Sequence, residues 1–64
     1  MRFKVNDMMC NHCVMRITKA IQTKDTFATV TCNLNKKTVI VDSSLDESTV
    51  FTAIKDAGYT PEKV

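Results

Sequence analysis

The sequence predicts an α+β sandwich in which two helices cover one face of a four-stranded antiparallel sheet. Three observations carry this expectation. Short runs that alternate polar and apolar residues, as half-buried strands do, accompany longer runs whose apolar residues recur every three to four positions, as in amphipathic helices. The runs follow one another as strand, helix, strand, strand, helix, strand. A chain of 64 residues, 44% hydrophobic and 25% charged, has room for one domain, spanning 1–64, with a tight core.

The first strand is Arg2-Phe3-Lys4-Val5-Asn6, which alternates with a period of two. Asp7 opens a polar bend that leads into Met8-Met9-Cys10-Asn11-His12-Cys13. A helix follows over roughly 12–23, where Val14, Ile17 and Ile21 form an apolar stripe with Ala20 beside it. Arg16, Lys19 and Thr23 fall on its solvent side. Residues 27–34 alternate again, with Ala28, Val30, Cys32 and Leu34 on one face and Thr29, Thr31 and Asn33 on the other. Asn35-Lys36-Lys37 makes a polar turn without glycine. The β-branched run Thr38-Val39-Ile40-Val41 then returns as the second arm of a hairpin.

Ser43-Ser44-Leu45-Asp46-Glu47 starts a second helix, since Ser and Asp suit the N-cap and acids suit the first turn. That helix runs over roughly 47–57, with Val50, Ala53, Ile54 and Ala57 inward and Gly58 at its left-handed C-terminal cap. Tyr59 to Val64 forms the last strand. The order βαββαβ is the split βαβ, or ferredoxin-like, arrangement.

Composition excludes several function classes. A net charge of +2, with the basic residues scattered, lacks the stripe expected of a nucleic-acid binder. No segment offers the roughly 20 apolar residues of a bilayer span, so no membrane insertion is expected. The N-terminus lacks the apolar stretch of a secretory signal. The expectation is a cytoplasmic protein with reduced thiols. Its three cysteines, an odd number, do not suit a disulfide framework.

Chemistry concentrates in Cys10-Asn11-His12-Cys13, a C-x-x-C between the first strand and the first helix. Two sulfurs at this spacing, on a loop running into a helix, can converge on one ion. The positive helix N-terminus favours the thiolate, the form that binds metal. Thiolates select soft ions, Cu(I) above all, and two ligands match the low coordination number that Cu(I) accepts. A structural zinc site wants four ligands, and three cysteines and one histidine are hard to gather around one ion here. His12 adjoins Cys13, and Cys32 lies on a core-facing strand position.

Asp7-Met8-Met9-Cys10-Asn11-His12-Cys13 resembles the M-x-C-x-x-C loop of heavy-metal-associated domains, in particular the freestanding bacterial copper chaperones. The resemblance covers essentially the whole chain, and Asp56-Ala57-Gly58-Tyr59 is similar to the loop those chaperones place beside the metal. It implies that Cys10 and Cys13 bind Cu(I) and pass it to a copper-transporting P-type ATPase by ligand exchange. It also implies that Met8 anchors the loop and that the Tyr59 ring lies near the sulfurs. The chain departs from the family pattern with Asp7 and Thr26 where glycine is common.

Each residue also has a plainer reading. Met8 offers a thioether that suits Cu(I) as well as an anchor. His12 is an exposed histidine, or a contributor to a metal-bridged dimer of an otherwise monomeric protein. Tyr59 can simply close the sheet. Cys32 behaves as a small hydrophobe of the core. Met9 faces solvent near a docking surface. Arg16 and Lys19 form a solvated helix face or meet an acidic partner. The expected function is a metal carrier and not an enzyme. A carrier of Hg(II), Cd(II) or Zn(II) uses the same sulfurs, and a small thiol–disulfide oxidoreductase uses the same spacing. The short chain and the element order disfavour the oxidoreductase.

Overall fold

The computed structural model describes residues 1–64. Strand β1 (Arg2–Val5) leads to helix α1 (Asn11–Lys24), the hairpin β2 (Thr29–Asn33) and β3 (Thr38–Asp42), helix α2 (Glu47–Asp56) and strand β4 (Pro61–Lys63). The antiparallel sheet has the order β2-β3-β1-β4, so each α-helix links strands that are not neighbours. This is the predicted ferredoxin-like sandwich.

Strand alternation sets the two faces. Phe3 and Val5 of β1 and Val39 and Val41 of β3 point inward and are buried. They meet Ile17 and Ile21 from α1 and Val50, Ala53 and Ile54 from α2. Phe51 of α2 leans on Phe3, with ring centroids 6.3 Å apart at 56°, within the range of favourable aromatic pairs. Outward residues such as Arg2, Lys4, Thr29, Thr31 and Glu62 meet solvent.

Several boundaries differ from expectation for identifiable reasons. The Thr26–Ala28 segment is a turn: the Phe27 and Ala28 N–H groups donate to the Asp25 side chain and carbonyl. β2 therefore starts at Thr29, and Phe27 stands 94% exposed. Asp46 is the N-cap of α2 by backbone, but its side chain makes no capping bond. Ser43 instead accepts from the Leu45 N–H and donates to Asp25 at 2.6 Å, tying the α1–β2 turn to the end of β3. Tyr59 and Thr60 precede β4. Pro61 opens that edge strand, where its missing N–H matters least.

Two backbone positions take positive φ. The Gly58 N–H donates to the Lys55 carbonyl and the Tyr59 N–H to that of Ile54, the paired bonds of a Schellman motif. Gly58 has φ 100°, and a Cβ there would meet nothing within 4 Å. Only backbone strain therefore opposes a side chain at this position. Lys37, closing the β2–β3 turn, has φ 59°. A residue with a Cβ loses roughly 1–2 kcal/mol in that region relative to the right-handed one.

Gly58→Ala should destabilise the fold by about 1–2 kcal/mol and lower Tm by about 4–8 °C for each kcal/mol in a domain this small. Calorimetry checks this, and an unchanged Tm would mean that the cap tolerates a Cβ.

Candidate metal centre

The loop between β1 and α1 is fastened before it reaches the cysteines. Met8 is fully buried among the core side chains, and its N–H donates to the Val5 carbonyl at 3.1 Å. Asn6 Nδ2 donates to Glu62 at 2.9 Å, and the Thr60 N–H donates to Asp7 at 3.2 Å. Asp7, where the resemblance pattern has glycine, thus ties the loop to the segment that follows Tyr59. From the opposite side, Lys37 Nζ donates to the Met8 carbonyl at 2.9 Å. Met9 lies beyond these ties and is 74% exposed.

Cys10 is the N-cap of α1 and Cys13 lies in its first turn. The Cys13 and Val14 N–H groups donate to the Cys10 carbonyl at 3.0 and 3.2 Å. The sulfurs lie 3.7 Å apart and both cysteines are free. That separation is far beyond the ~2.05 Å of a disulfide, yet short enough to share one ion. An ion about 2.3 Å from each sulfur, a typical metal–thiolate distance, would subtend roughly 107° at this spacing. A linear arrangement needs the sulfurs about 4.6 Å apart at that bond length. The exposed Cys10 side can supply the difference while Met8 stays in the core.

The local field favours thiolate. The first turn of α1 holds no acidic residue, whereas that of α2 begins with Glu47. The positive end of α1 therefore faces the sulfurs without a competing carboxylate of its own. The Cys13 thiol is lowered from 9.0 to about 7, first by hydrogen bonding with the Tyr59 side chain and next by the Met9 backbone. Tyr59 is shifted the opposite way, upward, chiefly by the same bond. Both directions follow from one pairing, in which a phenol that keeps its proton favours the thiolate form of Cys13.

The shifts of Tyr59 and Cys13 are thus mutual. The Schellman turn positions Tyr59, which is 9% exposed and belongs to the core cluster. His12 is exposed on the first turn of α1. Cys32 is partly buried against the core, and burial pushes its thiol up despite a hydrogen bond with Thr18. Its environment is the reverse of that of Cys13. The sequence reading missed the contacts of Asn6, Asp7 and Lys37. The β1–β3 register carries the signal for Lys37: with Lys4 opposite Thr38, the next residue pair puts Lys37 beside the end of β1.

The chain belongs to the heavy-metal-associated domain family, whose model matches residues 2–60. It is similar to the copper chaperone Atx1 from Synechocystis PCC6803, with 37% identity and a TM-score of 0.94 over 97% of this chain and 98% of that one. It is also similar to a protein described as gold binding, with 33% identity and a TM-score of 0.95 over 100% of this chain and 98% of that one. A copper-transporting ATPase 1 from Rhizobium meliloti (strain 1021) is 36% identical over 63 residues. The match takes in 95% of this chain but only 8% of the ATPase's length.

A thiol whose pKa lies below its unfolded value stabilises the folded chain most at high pH. For Cys13 that contribution is complete above about pH 9 and fades as pH falls through about 7. Alkylation of the metal-free protein, followed by peptide mass spectrometry, should show a Cys13 midpoint near pH 7. Tyr59→Phe should raise it. An unmoved midpoint would remove Tyr59 from the control of this thiol.

Proposed function

We propose that this chain is a Cu(I) carrier that holds its ion on the thiolates of Cys10 and Cys13. The carrying observation is the pair of free sulfurs 3.7 Å apart at the N-terminus of α1. No group of three or more His, Cys, Asp or Glu side chains is placed to hold a metal. A four-ligand zinc centre therefore lacks its donors, whereas two soft sulfurs suffice for Cu(I). Similarity to a copper chaperone and to part of a copper-transporting ATPase supports the same cargo.

The mechanism is ligand exchange, with the ion as cargo. Cys13, with a pKa of about 7, is already partly thiolate at neutral pH. The ion displaces the remaining protons as it binds. Delivery begins when a thiol of the partner loses its proton and adds as a third sulfur. One carrier sulfur then leaves and takes up a proton, and the second exchange completes the transfer. Bonds to sulfur are exchanged one for one and no electron moves. Met8 keeps the loop in place throughout, and Tyr59 steadies the Cys13 thiolate.

The partner is a copper-transporting P-type ATPase, met through a C-x-x-C domain of the same family. Met9, Met15 and Arg16, which are exposed and lie next to the cysteines in sequence, supply apolar contact and positive charge for that encounter. The whole chain, 1–64, acts as one heavy-metal-associated domain in the cytoplasm. No helix is long and apolar enough to cross a membrane. The metal-free chain is a monomer, and a shared ion can bridge two copies with His12 at the contact. Similarity to the gold-binding protein favours one second reading, a carrier of another soft ion on the same two sulfurs.

Cys10→Ser and Cys13→Ser should each abolish tight Cu(I) binding, whereas Cys32→Ala should leave it nearly intact. Competition against a colorimetric Cu(I) chelator, with Zn(II) in parallel, tests this. Equal loss in Cys32→Ala would sink the two-sulfur site, and tighter binding of Zn(II) would sink the copper assignment.

A further inference from the structure

Lys37 stands apart from the other basic residues in two respects. Its backbone has φ 59°, a region that favours glycine, yet the chain keeps a long side chain there. That side chain is half-buried and crosses from the β2–β3 turn to the loop before α1, where Nζ donates to the Met8 carbonyl at 2.9 Å. The backbone is tied at the same place, since the Val5 N–H donates to the Lys37 carbonyl at 2.7 Å. Lys37 has no carboxylate partner: the chain's ion pair joins Lys63 to Glu47. An uncommon backbone conformation with its side chain fixed on another segment points to a functional constraint.

We propose that Lys37 is a positioning residue of the thiol loop, holding the Met8 carbonyl so that the loop stays closed around its metal cargo. Two effects converge on this role. An ammonium–carbonyl hydrogen bond is stronger than a neutral one and fixes the peptide that leads directly into Met9 and Cys10. Two thiolates around a monovalent cation also leave a net negative charge on this loop. Lys37 brings a fixed positive charge to that loop from a separate strand pair. Neither role needs contact with the ion. The hydrogen bond joins protein atoms alone and needs no ion, so it orders the loop before cargo arrives and opposes its opening afterwards. The part of this role that concerns cargo rests on the Cu(I) reading above, whereas the part that concerns loop order does not.

The test uses Lys37→Gly, Lys37→Met and Lys37→Arg in the whole chain. Glycine relieves the backbone strain and removes the ammonium. Methionine keeps the strain and most of the stem but also removes the ammonium, and arginine restores a cationic donor. Two quantities are read beside Tm: amide hydrogen exchange of residues 9–13 in the metal-free protein, and the rate of Cu(I) release to an excess of chelator. Lys37→Gly and Lys37→Met should both accelerate each of them by about tenfold, as expected when one charge-assisted bond is partly replaced by water. Their Tm values should differ from each other, because only glycine relieves the turn. Lys37→Arg should stay close to the parent in both quantities.

Parent-like exchange and release in both Gly and Met variants would overturn the proposal. So would acceleration confined to Lys37→Gly, which would assign the effect to the turn's backbone, or a failure of arginine to rescue. Faster exchange with unchanged Cu(I) release would overturn the role toward cargo. A parent that binds no Cu(I) would overturn the copper reading alone, and the exchange comparison in metal-free protein would still decide whether Lys37 orders the loop.

Discussion

Burial of Met8 is the constraint on which the rest of this site depends. The side chain is fully enclosed although it stands only two positions before an exposed cysteine. Removing a fully buried methionine side chain typically costs about 2–5 kcal/mol, a large share of what a domain of this size can hold. The loop can therefore flex beyond Met8 but not before it. Cys10 sits on a short tether whose origin is fixed in the core, and Cys13 lies in the first turn of α1. Asn6, Asp7 and Lys37 reinforce that origin from both sides of β1.

The second fixed point is the end of α2. Gly58 permits the turn, the paired Schellman bonds close it, and Tyr59 emerges buried in the core and acting on the Cys13 thiol. The β1–α1 loop and the α2–β4 turn are far apart in sequence but meet because β4 pairs with β1, with Val5 opposite Pro61. The sheet topology thus builds the candidate site, and neither loop supplies it alone. The same topology keeps Cys32 away on β2, beyond β3, with its thiol pushed toward the neutral form.

Much of this was legible in the sequence because it follows from periodicity. The stripe of Ile17 and Ile21, the alternation around Phe3 and Val5, and the inward face of Val50, Ala53 and Ile54 all lie where the residue spacing puts them. Gly58 announced its turn because few other residues tolerate one. Single contacts that depend on register were not legible. Phe27 reads as a strand residue by composition, but Asp25 captures its N–H and turns the chain outward. Ser43 and Asp46 both suit a helix cap, and only the packing of β3 against the α1–β2 turn decides that Ser43 serves Asp25 instead. Lys37 looks like any turn lysine until the β1–β3 register sets it beside the loop.

On this account the chain is a scaffold that folds without its cargo: its apolar core of 12 buried residues includes neither thiol, and Cys13 only packs against its edge. It differs in this from a small zinc-dependent fold, which has no structure until metal arrives. Backbone NMR of the isotopically labelled protein, recorded metal-free and with one equivalent of Cu(I), tests that claim most directly. The account predicts a well-dispersed metal-free spectrum, with shifts on loading confined to the neighbourhood of Met9–Arg16 and Gly58–Thr60. A collapsed metal-free spectrum, or changes spread through β2, β3 and the interior of α2, would contradict it.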